Sequence, residues 1–152
     1  MVNVQRQKAT SKLLRKLNPD TQPKFGIMTP QHMVEHLILL VKLSNGGIKG
    51  QLMQSKETAV KWKQSLIYTD MEFPMGVRIP GEEESVLTGL RYENLEKAVD
   101  KLEDEIKKFE DFFQNNSHET TMHPALGLLN HEEWTIFHNK HFTHHFKQFG
   151  LD

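Results

Sequence analysis

Hydrophobic residues recur at helical spacing in several separate segments of the chain. The clearest pattern spans residues 92–114, where apolar residues alternate by four and three positions, with mostly Lys, Glu and Asp between them. This spacing places the apolar side chains on one face of a helix about 30 Å long. They are Leu95, Val99, Leu102, Ile106, Phe109 and Phe113. A seam of only about three heptads favours an intramolecular bundle over a two-stranded coiled coil.

Local start and stop signals predict the other helices. Thr29-Pro30 is a typical helix start, and the residues at 45–47, Asn-Gly-Gly, end that helix because they tolerate positive φ. Asn130 with Glu133 three residues later forms a capping box, which begins a last helix that runs to about residue 148. The remaining predicted helices cover residues 4–17, the extra short helix, and residues 55–67.

Residues 68–89 show no clear period and contain several Pro and Gly. A connection of about twenty residues is uncommon within a domain, and indicates a functional crossover or lid, or an unrecognised element. No segment has a convincing strand pattern, although residues 73–79 permit a short strand. The chain is therefore predicted to be all-α: a four-helix bundle with an extra short helix and a long crossover loop.

Length and composition narrow the class of protein. The 152 residues, of which 37% are hydrophobic, predict one globular domain covering residues 1–152. The formal net charge is −1, from 19 Lys and Arg against 20 Asp and Glu, which argues against a nucleic-acid binder. The absence of cysteine excludes disulfides, thiolate metal sites and a cysteine nucleophile.

The N-terminal segment is polar and lacks the apolar core of a signal peptide. The longest apolar run, at residues 37–41, is far shorter than the roughly 20 residues that cross a bilayer. We therefore expect a soluble cytoplasmic protein that does not enter a membrane.

Histidine is unusually frequent, and seven of the nine histidines lie between His118 and His145. Steps of four, three and four residues put four side chains of the last helix within a sector of about 60°. These side chains are Trp134, His138, His141 and His145. Because tryptophan belongs in a core, we expect the three histidines on the buried face. His131 and His144 lie off this sector and are expected to be solvated.

A single histidine in a core is usually a hydrogen-bonded structural residue and not a metal ligand. Three imidazoles on one buried face need several polar partners, because a buried polar group without a partner is costly. One divalent cation can serve as the partner of all three imidazoles. Histidines at i and i+4 can direct their lone pairs to one point. A third ligand must come from a facing helix. There His36 borders the apolar face, whereas His32 is expected to be exposed.

Three histidines without a thiolate or carboxylate leave coordination positions open, as in catalytic metal sites. A water molecule in an open position would be acidified and could act as a nucleophile. The sequence does not reveal a general acid or base, since Glu35 points away from His36 at 100° per residue. His118 and His123 precede the last helix, and a solvated loop is favoured for them over a position at a pocket rim.

Three segments together resemble a known family. They are residues 17–36, the stretch His123-Pro-Ala-Leu-Gly-Leu-Leu, and residues 141–150, which end in Phe-Gly. They are similar to a branch of the DinB-like superfamily, which comprises small bacterial four-helix metalloenzymes also called YfiT-like. The resemblance covers nearly the whole chain and is densest at its two ends.

This resemblance implies a site. The family uses one histidine from an early helix and a His-x-x-x-His pair from the last helix, which fall on His36, His141 and His145. One divalent metal ion, Zn²⁺ or Ni²⁺, is the implied cofactor. His138 is then a candidate for supporting the ligands, as are His123 and His32.

The activity that the resemblance implies is broad. Some relatives transfer low-molecular-weight thiols, and others are hydrolases or isomerases. We expect a metal-dependent hydrolase or thiol transferase that acts on a small molecule, and relatives of this fold often form homodimers. Two alternatives stay open: a metal- or small-molecule-binding protein without turnover, and a helical module that pairs with another helix.

Overall fold

The computed structural model describes residues 1–73 and 89–151. Within these ranges the chain is mostly helical and contains one small two-stranded sheet. The elements are α1 (Gln7–Leu14), α2 (Pro30–Ser44), α3 (Lys56–Tyr68), α4 (Leu95–Asn115), β1 (Thr121–His123), β2 (Gly127–Leu129) and α5 (His131–Gln148). Residues 74–88 of the predicted crossover, and with them most of the strand allowed at 73–79, lie outside the described residues.

Side-chain caps fix where the longer helices begin. The Thr29 hydroxyl accepts a hydrogen bond from the His32 backbone N–H, and Pro30 follows at the first helical position. Asn130 and Glu133 form the predicted capping box of α5. Ser55 and Asn94 cap α3 and α4 in the same manner. These four helices confirm the predicted segments to within a few residues.

The first helix is shorter than predicted. The range 4–17 is wrong at both ends, because α1 covers only Gln7–Leu14. A turn precedes it, in which the Arg6 N–H donates to the Asn3 carbonyl. Beyond it, Lys16 and Leu17 donate to carbonyls three residues back, so the helical hydrogen-bond pattern ends.

The expectation that the chain lacks strands is wrong. Strands β1 and β2 pair antiparallel, with Thr121 opposite Leu129 and His123 opposite Gly127. Gly127 has φ +83°, a left-handed conformation that glycine adopts without strain. Strands of three residues are too short to produce a period-2 pattern, so hydrophobic alternation gives no sign of them. The Thr121 hydroxyl donates to the Ser44 carbonyl and joins this hairpin to α2.

The core forms where α2, α4 and α5 meet. All six apolar residues of the predicted α4 face are buried. Helix α2 packs along α4 and also contacts α5, whose buried aromatic residues fill the centre. These buried aromatics are Trp134, Phe137, Phe142 and Phe146. The arrangement of the helices as a four-helix bundle stays a prediction.

Among the described helices, none combines the length and apolarity that crossing a membrane would require.

Candidate metal centre

Helices α2 and α5 bring three histidines together. His36 lies in the second turn of α2, and His141 and His145 are one turn apart on α5. Nε2 of His141 is 3.0 Å from Nε2 of His36 and 3.2 Å from Nε2 of His145. The three residues can each offer one ligand atom within 4.8 Å of the others. We call these residues the histidine cluster.

The nitrogen separations fit a shared ion. Two nitrogens about 2.05 Å from one Zn²⁺ at the tetrahedral angle are about 3.3 Å apart. The 3.0 and 3.2 Å separations around His141 are close to this value, so a small movement of the side chains admits an ion. Within the described parts of the chain, the histidine cluster is the group that meets this condition.

Burial keeps the cluster neutral. His141 and His145 are fully buried and His36 is partly exposed. Burial lowers the pKa of His36 to about 4, and the neighbouring His144 adds to the effect. Burial and the neighbouring imidazoles also lower the pKa of His141 and His145 well below 6.5. A metal ion binds the neutral form of imidazole, so the folded chain holds the three histidines in the protonation state that a metal requires.

A buried glutamine orients His145. Oε1 of Gln148 lies 2.7 Å from Nδ1 of His145, and Nε2 of Gln148 donates to the Phe25 carbonyl at 3.0 Å. Gln148 is 0% exposed, so this contact is shielded from water. Gln148 was not predicted from the sequence, although a polar residue three positions after His145 on the buried face was a usable signal.

Aromatic rings surround the cluster. The ring centres of Phe73 and Phe137 are 5.2 and 5.1 Å from that of His141. The His144 ring is 5.0 Å from that of His145 and lies between Phe25 and Phe73, at 5.3 and 5.5 Å. The expectation that His144 is solvated is therefore wrong, because the chain at Phe25 and Phe73 covers this side of α5. Burial, followed by the charge of Lys147, lowers the pKa of His144.

His138 is buried as predicted but lies outside the cluster. Its Nε2 is 2.9 Å from Oγ of Ser44, which in turn donates to the Val41 carbonyl. Nε2 of His138 must therefore donate the hydrogen to Ser44. The ring stacks on Trp134 at 5.3 Å. The role of His138 as a residue that supports the metal ligands stays a prediction.

His123 and His32 occupy different settings. The expectation of a solvated loop is wrong for His123, which is 1% exposed and ends β1. Its Nδ1 accepts hydrogen bonds from the backbone N–H groups of Ala125 and Leu126, so the turn of the hairpin folds over it. His32 is half-buried at the start of α2 rather than exposed as expected, because its Nδ1 lies 2.6 Å from the Thr29 hydroxyl. The structure places neither residue in the cluster.

Two further histidines lie away from the cluster. His118 is exposed, as favoured. His131 is half-buried rather than solvated, because its Nε2 is 3.2 Å from a Glu110 carboxylate oxygen and its ring contacts Phe109 at 5.3 Å. Glu35 points away as predicted, since its carboxylate accepts hydrogen bonds from the backbone N–H groups of Arg91 and Tyr92.

The donor set determines what the cluster can do. Among the described residues it consists of three imidazoles and includes no carboxylate or thiolate. Such a set suits several divalent first-row metals and leaves room for further ligands. Its geometry therefore permits a catalytic as well as a storage role.

The comparisons with known proteins supply a family but no activity. Neither the curated proteins nor the solved structures include a match to this chain. A family model, described as a protein of unknown function, matches residues 5–151. The match does not test the DinB-like resemblance, which stays a prediction. Because nearly the whole chain is matched, the protein belongs to the family of unknown function DUF1569.

Proposed function

We propose that the protein is a metal-dependent enzyme whose divalent ion is held by Nε2 of His36, His141 and His145. The observation that carries this proposal is the convergence of three Nε2 atoms from two helices. In a core, the nitrogen lone pairs of three neutral imidazoles that face one another need hydrogen-bond donors. A cation bound between them would accept all three lone pairs at once. Zn²⁺ and Ni²⁺ both suit this donor set.

When bound, the ion would supply Lewis acidity and lower the pKa of a water or thiol ligand. The chain's own contribution is to hold the three nitrogens and to keep water away. Phe73 and Phe137 cover His141, whereas His36 is partly exposed. Of the three proposed ligands, His36 is thus the one that solvent reaches.

The proposed reaction is hydrolysis or transfer of a low-molecular-weight thiol. Among the described residues, the cluster itself contains no carboxylate that could act as a general base. This favours thiol transfer, because a thiol bound to a metal loses its proton without a separate base. A DinB-like four-helix bundle, a homodimer and a cytoplasmic location belong to the same proposal.

Activity measurements on the metal-loaded protein test this proposal. The zinc or nickel form is offered activated esters alone, and electrophiles with 2-mercaptoethanol. Turnover that requires the thiol, is abolished by a chelator and is lost in His141→Ala would support the transferase. Thiol-independent ester cleavage with the same sensitivities would support the hydrolase. His118→Ala, at an exposed position, is the matched control.

Three results would contradict the enzyme proposal. Turnover that survives both chelation and His141→Ala would mean that the cluster does not carry the activity. Tight metal binding without turnover on either substrate set would favour the alternative of a metal-binding protein. Failure to bind any metal would favour the other alternative, a helical module that pairs with another helix.

A further inference from the structure

A cavity of about 230 Å³ lies beside the histidine cluster. Its wall includes the rings of Phe25, Phe73 and His144 and the side chains of Thr143 and Lys147. Typical ligand pockets begin at about 300 Å³, so this cavity suits a compact molecule. A ligand with one ring fits its size better than an extended cofactor.

The cavity and the cluster share part of their walls. Phe73 lines the cavity, and its ring also packs against that of His141 at 5.2 Å. His144 likewise lines the cavity, and its ring is 5.0 Å from that of His145. A molecule bound in this cavity therefore contacts the same rings that cover the proposed metal ligands.

The charges around the cavity favour an anion. Nζ of Lys147 lies 3.6 Å from a carboxylate oxygen of Glu72, and the two side chains are 46% and 71% exposed. Exposed pairs of this kind contribute little to stability, so Lys147 can change partner at small cost. Lys140 also lines the cavity, and its ammonium is held by the backbone carbonyls of residues 66, 69 and 71. The described lining of the cavity thus carries two lysines and one carboxylate, that of Glu72.

We propose that this cavity binds an aromatic carboxylate with a single ring, and that this is the substrate class of the proposed enzyme. The ring packs against the lining rings of Phe25, Phe73 and His144, and the carboxylate replaces Glu72 at Lys147. The assignment as a substrate rests on the proposed function, whereas the binding itself rests on the cavity.

Benzoate is the probe, and benzyl alcohol is its uncharged counterpart. Both are titrated into the full chain, metal-free and zinc-loaded, and followed by calorimetry and by amide chemical shifts in NMR spectra. Benzoate is expected to bind both forms and to shift signals around residues 143–147. Its affinity should fall at least about tenfold, or by about 1.4 kcal/mol, in Lys147→Gln. The exposed Lys107→Gln on α4 should leave it unchanged.

Three results would overturn the inference. They are no benzoate binding, benzyl alcohol binding as tightly as benzoate, and equal benzoate affinity in Lys147→Gln and the parent. The zinc content of each sample separates this test from that of the proposed function. Zinc retained with benzoate binding lost rejects the cavity assignment alone. Benzoate binding by a protein that takes up no zinc when zinc is supplied rejects the metalloenzyme alone.

Discussion

At the histidine side chains, burial favours the neutral imidazole over the charged one. His123 and His138 lie outside the cluster, and burial lowers the pKa of each to about 3. An unfolded chain would titrate these groups near 6.5. As pH falls below this value, the unfolded chain takes up protons that the folded chain does not, so stability is lost.

The metal-free protein should therefore unfold more easily at mildly acidic pH. Its free energy of unfolding should be greatest above about pH 6.5 and fall as the pH drops towards about 3. Each of these histidines contributes up to about 1.4 kcal/mol per pH unit. Urea denaturation at about pH 7 and pH 5.5 measures the change. His138→Gln should reduce the slope and the exposed His118→Gln should not, and equal stability at both pH values would contradict the account.

Gln148 controls which nitrogen of His145 is available. Because Nε2 of Gln148 donates to the Phe25 carbonyl, Oε1 faces His145 and can only accept. Nδ1 of His145 then carries the hydrogen, which leaves the lone pair on Nε2 directed at the cluster.

Gln148→Leu should accordingly weaken zinc binding by about 10–100-fold. Gln148→Glu keeps an acceptor at this position and should bind zinc more tightly than Gln148→Leu. Competition with a chromogenic chelator measures the affinities, and Gln114→Leu at an exposed position of α4 is the control. Unchanged affinity in Gln148→Leu would show that this hydrogen bond does not orient the ligand.

At the scale of elements, local patterns identify the long helices. The α4 face and the capping box of α5 are visible in sequence because both depend on residues within one or two turns. The hairpin of β1 and β2 is not visible, since its three-residue strands carry no period. The burial of His123 and His144 depends on contacts with segments that are distant in sequence. The spacing of residues within one helix does not predict such contacts.

Leu102 tests the α4 face directly. It is 1% exposed in the middle of the predicted seam. Leu102→Ala should lower the free energy of unfolding by about 2–5 kcal/mol, because it removes buried surface and leaves a cavity. The exposed Asp104→Ala on the same helix should have little effect. Chemical denaturation checks both, and a loss below about 0.5 kcal/mol for Leu102→Ala would mean that this face is not core.

At the scale of the whole molecule, the fold joins residues that are far apart in sequence. His36 and His141 are 105 positions apart, and the packing of α2 against α5 brings them together. The spacing on α5, the place of His36 on a facing helix and the family resemblance sufficed to predict that His36, His141 and His145 lie together. Metal binding by these residues stays a prediction. The sequence did not predict that Phe73 and Lys140 lie near the cluster. Their positions depend on contacts with other elements, and such contacts produce no periodic pattern in the sequence.

Zinc affinity and stoichiometry in matched variants test the central claim most directly. The metal-free parent is titrated beside His36→Ala, His141→Ala and His145→Ala, with His118→Ala and His131→Ala as controls. The account predicts one zinc ion per chain in the parent and both controls, and strongly reduced binding in each of the three cluster variants. Cluster variants that bind zinc as tightly as the parent would contradict it.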